Sequence, residues 1–432
     1  MAAGASVRHT ILHLMTVAAL IGAARVGNAA SIRVGRDERC TTIASALALA
    51  QPGDTVLVTA GRYHEHNLVV DRPIVIRGEG AAVIDAEEKG EIILVTAPDV
   101  TISGLTLRNV GTSFTEDRAA IRLRKVTRAV IENNRLEKAF FGIYVENSDT
   151  VVIRGNTLAG SATRETTTGN GIHLWYTRHA LIEGNEIVGH RDGIYFEFVE
   201  NSVVVRNVST HNLRYGLHFM FSHEDRYEEN RFADNGAGVA VMYTHSVTMR
   251  RNIFEHNWGS NAYGLLLKDI SNSAIDHNEF RGNTVALYAE GCDRLRVETN
   301  DFLGNGHAVR IMANSMDNIF TNNRFMDNAF DVVTNSRQSF NTFEANYWSE
   351  YRGYDLDNDG IGDVPHHPVR LFALLVEQAP PGVVLLNSLF VTLIDTAERV
   401  MPVFTPETLV DSRPLMSPDG IVLSATRPEA DR

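Results

Sequence analysis

Histidine and methionine side chains recur on one predicted strand face near the middle of the chain. In the stretch RYGLHFMFSHEDRYEENRFADN, Leu217 and Phe219 alternate with His218 and Met220. Successive side chains of a strand point to opposite faces, so hydrocarbon lies on one face and imidazole and thioether lie on the other. Thioether sulfur and imidazole nitrogen suit a soft cation such as Cu(I). The polar face is therefore a copper site, a surface for a protein partner or ordinary solvated surface.

These residues belong to a repeat that defines the fold. Asparagine recurs after a short strand at steps of 22 to 29 residues, most often 22 or 23, and segments such as GIYVEN, GIHLWY, GIYFEF and GLHFMF recur in phase with it. A period near 22 with short alternating strands predicts an all-β solenoid, a parallel β-helix whose stacked coils share one core. The recurring asparagines are Asn134, Asn156, Asn185, Asn207, Asn230, Asn252, Asn278, Asn300, Asn323 and Asn346.

The repeat predicts which outward residues become neighbours. Adjacent coils lie about 4.8 Å apart, so residues one coil apart stack along the solenoid axis. Met220 and Met242 are such neighbours, and their thioethers are predicted to converge on Cu(I), with His218 beside them and His245 at the following corner. His173 lies in the same outward column as His218 but two coils away, about 10 Å, so one ion cannot bridge these two rings.

Two further columns are interpreted as structural. Asparagine tolerates the left-handed conformation of a corner and bonds nearby backbone, and in-register asparagines form ladders. We therefore expect the asparagine column to hold the coils together. A phenylalanine column is predicted to stack in the core, and its members are Phe232, Phe254, Phe280, Phe302 and Phe325.

The first 110 residues are predicted to hold a targeting segment and a lid. Residues 1–30 contain an apolar run that ends in small residues, which is typical of a signal peptide cleaved after Ala29 or Ala30, with an uncleaved membrane anchor as the alternative. Residues 31–110 are interpreted as an N-terminal cap and first coils, with a short helix that Thr41 or Thr42 caps. Residues 111–350 form the β-helix repeats. The two cysteines, Cys40 and Cys292, are expected to stay unpaired.

An acidic segment follows the repeats. In residues 351–370, Asp355, Asp357 and Asp359 match the start of a calcium loop, and Asp363 falls at its ninth position. The twelfth position is His366 rather than the bidentate glutamate of an EF-hand. Calcium binding and a plain acidic turn both remain open.

The last segment, residues 371–432, is apolar and is interpreted as a docking tail. Residues 383–400 are predicted to form a helix, which either caps the last coil or docks onto a partner at the membrane. Pro402, Pro406 and Pro414 predict an extended remainder that is poorly suited to a core. The apolar residues that recur at four-residue spacing are Leu385, Leu389, Leu393 and Ala397.

Charge and composition narrow the functional classes. A formal net charge of -13 makes nucleic acids and anionic membrane surfaces poor partners. A carbohydrate-active enzyme remains an alternative, because His190, Arg191, Asp192 and Glu197 supply groups for acid–base chemistry. A structural solenoid or adhesin is a third possibility.

The combination of segments resembles the NosD family, accessory proteins for maturation of nitrous-oxide reductase. The similarity covers the chain after residue 30, from PGDTVLVTAGRYHE through the GIYFE-type coils to NYWSEYRGYDLDNDGIGDVPHHPV. It implies a right-handed parallel β-helix in the periplasm, bound to a membrane permease and its ATPase in an ABC-type complex. It further implies partnership with a copper chaperone and the reductase, assembly of a copper–sulfur centre and no catalytic motif.

Overall fold

The structure, a computed structural model, describes residues 29–113, 115–336, 338–378, 380–386, 388–400 and 409–418. The predicted signal peptide, residues 1–30, lies outside these ranges except for its last two residues. Three long sheets of 14, 12 and 13 strands build the described part, and each complete coil adds one strand to each sheet.

Each sheet follows one face of the solenoid along its whole length. The first sheet comprises Ser31–Val34, Thr55–Val58, Val75–Gly78, Thr101–Ser103, Val130–Glu132, Val152–Arg154, Leu181–Glu183, Val203–Val205, Arg226–Glu228, Thr248–Arg250, Ala274–Asp276, Arg296–Glu298, Ile319–Thr321 and Thr342–Glu344. The second comprises Leu68–Val70, Ile93–Val95, Ala119–Arg124, Phe141–Glu146, Ile172–Trp175, Asp192–Glu197, Tyr215–Met220, Ala237–His245, Tyr263–Ser271, Val285–Glu290, His307–Ile311 and Phe330–Thr334. The third comprises Gly61–Tyr63, Ala82–Asp85, Thr106–Arg108, Arg135–Glu137, Thr157–Ala159, Glu186–Val188, Val208–Thr210, Arg231–Ala233, Ile253–Glu255, Glu279–Arg281, Asp301–Leu303, Arg324–Met326 and Tyr347–Trp348.

Neighbouring strands of each sheet run parallel and come from consecutive coils. Ile131 pairs with Ile153, Leu136 with Leu158, and Ile143 with Ile172. Identical or similar residues therefore stack in all three sheets, which confirms the predicted parallel β-helix. The glycine column of the second sheet shows how closely the coils approach each other. A Cβ on Gly216 would lie 2.7 Å from the carbonyl oxygen of Gly238 in the next coil.

The core consists of stacked inward side chains. The predicted phenylalanine column is confirmed, with ring centroids 4.7 Å apart for Phe254 and Phe280 and 4.9 Å apart for Phe280 and Phe302. Trp348 ends this stack and is 1% exposed. Burying each such ring removes a large apolar surface from water and contributes about 2 to 3 kcal/mol.

The predicted asparagine ladder is also confirmed, but the left-handed conformation belongs to the residue before each asparagine, such as Arg206 and Glu229, and not to the asparagine itself. Asn207 donates from its backbone N–H and from Nδ2 to Oδ1 of Asn230, at 2.9 and 3.0 Å, and its Nδ2 also donates to the carbonyl of Ile182 at 2.9 Å. A second ladder, which the sequence analysis did not identify, runs along the next corner. Its members are Asn212, Asn235, Asn257, Asn283, Asn305 and Asn328.

A short helix, α1 (Ile43–Leu49), covers the first coils as predicted. Thr42 caps it by accepting a hydrogen bond from the backbone N–H of Ser45, and Glu65 accepts from the N–H groups of Ile43 and Ala44. Ile43 and Ala46 of this helix join the main core. Both cysteines, Cys40 and Cys292, are buried and unpaired, as expected.

The C-terminal region holds two further helices, α2 (Leu371–Gln378) and α3 (Leu389–Val400). The helix predicted for residues 383–400 is therefore shorter, because Pro380–Leu385 forms a separate 3₁₀ turn. A second 3₁₀ turn, Glu165–Thr167, lies in an insertion between two coils.

The segment 409–418 returns to the last coil. Asp411 bridges to Phe343 and Leu415 bridges to Tyr347, both in parallel orientation, and Leu409 is fully buried in the main core. This part of the tail therefore closes the solenoid, whereas the prolines had predicted an extended chain unsuited to a core. Residues 401–408 and 419–432 lie outside the described ranges.

Candidate functional site

The second sheet holds the predicted copper ligands in the predicted register. Met220 pairs directly with Met242, and Tyr195 pairs with both His173 and His218 on its two sides. The two methionines are thus neighbours across one coil step, and the two histidines are separated by the Tyr195 coil. Both statements agree with the spacing derived from the repeat.

His173 and His218 differ from expectation in one respect, because they are buried and not solvated. Their exposed fractions are 8% and 4%. They lie in a column of rings in which Tyr144, His173, Tyr195 and His218 follow one another with centroids 4.5, 4.7 and 5.0 Å apart. The large rings of adjacent coils cover each other, which outward alternation alone does not reveal.

Arginine side chains act on both of these histidines, and two of them, Arg191 and Arg214, flank the buried carboxylate of Asp192. Burial, followed by the charges of Arg191 and Arg122, lowers the pKa of His173 to about 3. Burial lowers the pKa of His218 to about 3 as well, followed by the effects of Arg214 and Arg191. Arg214 Nη2 lies 3.5 Å from His218 Nδ1. The rings are neutral, but the neighbouring guanidinium groups disfavour a bound cation.

A second group of potential ligands lies at the corner after this strand. The rings of His223 and His245 stack with centroids 4.1 Å apart and an interplanar angle of 6°. The rings of Phe221 and Tyr243, which follow the two methionines in sequence, stack on each other with centroids 5.1 Å apart. We call these four residues together with Met220 and Met242 the Met–His edge.

The Met–His edge is accessible along one side. Phe221 and Tyr243 are 36% and 41% exposed, and His245 is exposed as well. Tyr195 donates a hydrogen bond from its hydroxyl to Met220 Sδ at 3.5 Å. Sequence reasoning included Met220, Met242 and His245 but missed His223. The signal that identifies it is the repeated pattern of methionine, aromatic residue, serine or threonine, and histidine one coil apart.

The environment of His223 contrasts with that of His218. Burial and the neighbouring His245 lower the pKa of His223, whereas Glu200 and Glu224 oppose that shift. Nδ1 of His223 lies 3.3 Å from Thr244 Oγ1. Nδ1 of His245 lies 3.3 Å from Ser246 Oγ. The corner therefore places two imidazoles near carboxylates.

The acidic groups considered for enzymatic chemistry occupy two kinds of environment. Asp192 is fully buried, 3.3 Å from Arg214 Nε and 3.6 Å from Arg191 Nε, and burial raises its pKa. His190 is also buried, which lowers its pKa to about 4. Glu197 is partly exposed, and its pKa is raised by burial alone. The buried pair is thus part of the packed wall of the solenoid.

The acidic segment brings three of its four predicted calcium ligands together. Carboxylate oxygens of Asp355, Asp357 and Asp359 lie within 4.8 Å of one another. Asp355 also accepts hydrogen bonds from the backbone N–H groups of Asp359 and Gly360, at 3.2 and 2.9 Å. Asp363 instead accepts from the N–H of Leu356 at 2.8 Å.

The C-terminal helices present a second candidate surface. On their inner side, Phe372, Ala373 and Val391 form a small cluster with Phe330 and Val333 on the outer face of the second sheet. On their outer side, large apolar residues are exposed, with fractions of 75% for Leu389, 56% for Phe390, 60% for Leu393, 45% for Leu385 and 86% for Val384. Among the described residues, no helix is both long and apolar enough to cross a bilayer.

Solved structures with a similar fold include enzymes that act on polysaccharides. The catalytic domain of a GH87 α-1,3-glucanase in complex with nigerose has a TM-score of 0.59 and 12% identity, with 75% of this chain and 70% of that chain covered. A family 28 exopolygalacturonase from Yersinia enterocolitica has a TM-score of 0.57 and 11% identity, with 74% and 78% covered. At this level of identity the likeness shows the fold alone.

Sequence relatives are more informative. A family model described as "Periplasmic copper-binding protein (NosD)" matches residues 159–353, and one for a family of unknown function matches residues 27–219. A Pseudomonas aeruginosa protein named "Probable ABC transporter binding protein NosD" is 32% identical over 379 residues, 83% of this chain and 87% of that protein. A Stutzerimonas stutzeri protein with the same name is 31% identical over 377 residues, 83% of this chain and 85% of that protein. Because such identity extends over the solenoid and beyond the region that the family model matches, the chain belongs to the NosD family.

Proposed function

We propose that this protein is a periplasmic, non-catalytic accessory factor for maturation of the copper–sulfur centre of nitrous-oxide reductase. In this proposal it acts with a membrane ABC transporter, a copper chaperone and the reductase, and copper is its cargo. The name of the relatives, ABC transporter binding protein, supports the transporter. The family description, periplasmic copper-binding protein, supports the compartment and the metal.

The observation that carries the transporter partnership is the exposed apolar side of the C-terminal helices. Leu389, Phe390 and Leu393 project from α3 with more than half of their surface in contact with solvent. Contiguous exposed apolar side chains of this size mark interaction surfaces more often than free surface. Because Phe372 and Val391 fix the opposite side of these helices on the second sheet, the exposed side is held in place and available.

The chemistry of this surface fits an apolar groove of a membrane permease. An amphipathic helix binds such a groove by inserting residues from one face, and large apolar anchors supply most of the affinity. Direct adsorption to an anionic bilayer is disfavoured, because the protein carries a formal net charge of -13. The partner is therefore the transporter protein, and membrane association follows from it.

The test is co-isolation of the ABC permease with the tagged full-length protein from detergent-solubilised membranes. The triple variant Leu389→Ser, Phe390→Ser, Leu393→Ser is expected to lose most of the co-isolated permease, since apolar anchors are replaced by polar groups. A matched control is Leu49→Ser on α1, an apolar residue with a similar degree of exposure at the other end of the solenoid.

Undiminished permease recovery with the triple variant would contradict the proposed docking surface. The same would hold if Leu49→Ser removed as much permease as the triple variant, because the effect would then not depend on α3. Thermal unfolding of all variants separates lost docking from lost folding, since exposed substitutions change stability by about 0.5 kcal/mol or less.

A carbohydrate-active enzyme is the second candidate because of the fold neighbours. Retaining and inverting glycosidases need two carboxyl groups within about 10 Å that flank one bond. In the outward column of the second sheet, Glu146 and Glu197 are two coils apart, about 10 Å, with Trp175 between them. Glu146 also pairs with Arg124 at 2.5 Å. Loss of a polysaccharide-cleaving activity in Glu197→Gln would favour the enzyme over the accessory factor.

A further inference from the structure

We propose that the Met–His edge is the binding site for Cu(I) on this protein, with the two thioethers and the two imidazoles as ligands. The proposal rests on the proposed function for the choice of copper as the physiological metal. It assigns the metal to a corner of the solenoid rather than to the buried histidine column beside it.

The first support is an in-register repetition of the ligand set. Met220–His223 and Met242–His245 have the same pattern of residue types, and they lie one coil apart. Met220 and Met242 are direct strand partners, and the rings of His223 and His245 are 4.1 Å apart. Four soft or borderline ligands are therefore concentrated within two coils.

The repetition stops at the neighbouring coils. On one side, Glu197 pairs with Met220 and Glu200 pairs with His223. On the other side, Lys268 pairs with Met242 and Ser271 pairs with His245. The same positions accept charged or small polar groups elsewhere, so packing of the solenoid does not require methionine or histidine there.

The inward residues of Met220–His223 and Met242–His245 have a structural role, unlike the outward methionines and histidines. Ser222 is fully buried, donates to the carbonyl of Met220 at 2.9 Å and accepts from the N–H of Val199 at 3.0 Å. Thr244 is buried as well. Ser222 and Thr244 therefore supply the buried polar groups of the corner. The outward methionine and histidine side chains are not needed for this packing and can bind a metal.

The aromatic residues between the ligands occupy a backbone conformation that disfavours them. Phe221 has φ +49° and Tyr243 has φ +56°, in the left-handed region. The preceding coils also place aromatic residues at this corner, Tyr176 and Phe198, whereas the following coils place Asp269 and Gly291 there, which are residue types that adopt the conformation more readily. The aromatic stack therefore spans four coils and ends within the two coils of the proposed site, where its π-electron density attracts a cation.

Local charge also favours this corner over the buried column. Glu200 and Glu224 act on His223, whereas Arg214 and Arg191 act on His218. Glu200 also pairs with Arg178 at 3.1 Å, and Arg191 and Arg214 flank Asp192, so Glu224 supplies the main difference in charge that attracts a cation to the corner. Since Nδ1 of each corner histidine contacts a hydroxyl group, Nε2 of each ring is the atom assigned to the metal.

The geometry requires only side-chain rotation. Metal–nitrogen bonds are about 2 Å long and form in the plane of the imidazole ring, so the two rings stacked at 4.1 Å must rotate about their side-chain bonds before both Nε2 atoms can share one ion. Methionine has three rotatable bonds, which lets both thioethers swing across the aromatic pair toward the imidazoles. The site lies at the surface, so a donor protein can approach it directly.

The test is Cu(I) affinity of the chain without its signal peptide, measured anaerobically by competition with a colorimetric Cu(I) chelator. The variants are Met220→Leu with Met242→Leu and, separately, His223→Gln with His245→Gln. Each pair is expected to weaken binding by at least about 10-fold, since even groups behind the ligands change metal affinity by 10- to 100-fold. Ag(I), which does not change oxidation state, is expected to show the same loss.

Controls separate this site from the rest of the protein. Met316→Leu, at another exposed methionine, is expected to leave the affinity unchanged. His173→Gln with His218→Gln tests the buried column, and a loss confined to that variant would overturn the assignment. Wild-type affinity in both corner variants would also overturn it. All variants are compared by circular dichroism and thermal unfolding, so that lost folding is not counted as lost binding.

The outcome is distinguishable from failure of the proposed function. If corner variants bind Cu(I) normally but the permease is still co-isolated, only the site assignment is wrong. If the corner variants lose Cu(I) binding while α3 substitutions leave permease recovery unchanged, the site stands and the transporter docking is wrong.

Discussion

The two ends of the solenoid are closed in different ways. At the N-terminal end, α1 is itself the lid, because its apolar residues join the main core. At the C-terminal end, the helices form a separate cluster on the side of the last coils, and the segment around Asp411 covers the core. The difference indicates that α2 and α3 are not needed to shield the core and are available for a partner.

Asp411 replaces the next asparagine of the ladder. Its carboxylate accepts hydrogen bonds from the backbone N–H and Nδ2 of Asn346, at 3.0 and 3.1 Å, from Trp348 Nε1 at 3.0 Å and from the N–H of Ala345 at 3.1 Å. A carboxylate accepts several such bonds at once, which suits the last position of a ladder that has no further coil to donate to.

The largest expected effect comes from removing this closure. Asp411→Ala leaves several buried donors without an acceptor, at about 1 to 3 kcal/mol each, so the last coil is expected to lose about 3 kcal/mol or more of stability. Native-state hydrogen exchange at Ala345 and Asn346 measures it. Asp411→Asn keeps one acceptor oxygen and should lose less. Unchanged exchange in Asp411→Ala would show that α2 and α3 close this end after all.

The second effect makes the C-terminal end sensitive to pH. Burial raises the pKa of Asp331 from 3.8 to about 6, partly opposed by Asn328 and Arg370. The protonated Asp331 carboxyl therefore contributes about 2 to 3 kcal/mol to the free energy of unfolding below pH 4. This contribution is lost as the pH rises through about 6. Chemical unfolding at pH 5 and pH 8 measures about half of this loss, about 1.4 kcal/mol, because the other half is already lost between pH 4 and pH 5.

Asp331→Asn is the matched variant for that measurement. It is isosteric and uncharged, so the pH dependence from this position is expected to disappear and stability at pH 8 is expected to rise. An unchanged difference between pH 5 and pH 8 in the variant would assign the dependence to another group.

A smaller effect is expected at the N-terminal lid. Thr42→Ala removes the acceptor for the N–H of Ser45 and should reduce the free energy of unfolding by about 1 kcal/mol. Glu65 continues to hold the N–H groups of Ile43 and Ala44, which keeps the loss small. Thr41→Ala, outside the cap, serves as the control in thermal unfolding. Equal effects of the two substitutions would remove the capping role from Thr42.

The smallest effect concerns the acidic segment, for which calcium binding remains our proposal. Millimolar Ca²⁺ is expected to raise stability by about 1 kcal/mol or less, because exposed extracellular sites bind weakly. Asp357→Asn with Asp359→Asn should remove the increase in melting temperature, and Mg²⁺ should not reproduce it. An equal increase in the variant would favour the plain acidic turn.

The N-terminal lid and the coils could be predicted from the sequence, but the closure of the C-terminal end could not. The 22-residue period predicted the coils, the asparagine ladder and the phenylalanine stack, since each follows from period-2 alternation and in-register stacking alone. The lid helix followed from its cap and apolar pattern. Closure by Asp411 was not predicted, because its partner Asn346 lies 65 residues earlier and no repeat connects the two.

The candidate site divides in the same manner. Sequence spacing determined that Met220 and Met242 are neighbours and that His173 and His218 are two coils apart. Only the tertiary structure decided that His218 is buried beside Arg214, whereas His245 stacks on His223 among carboxylates. The physical reason is that a repeat fixes which residues share a column, but burial and charge depend on side chains from several coils that meet at one point of the surface.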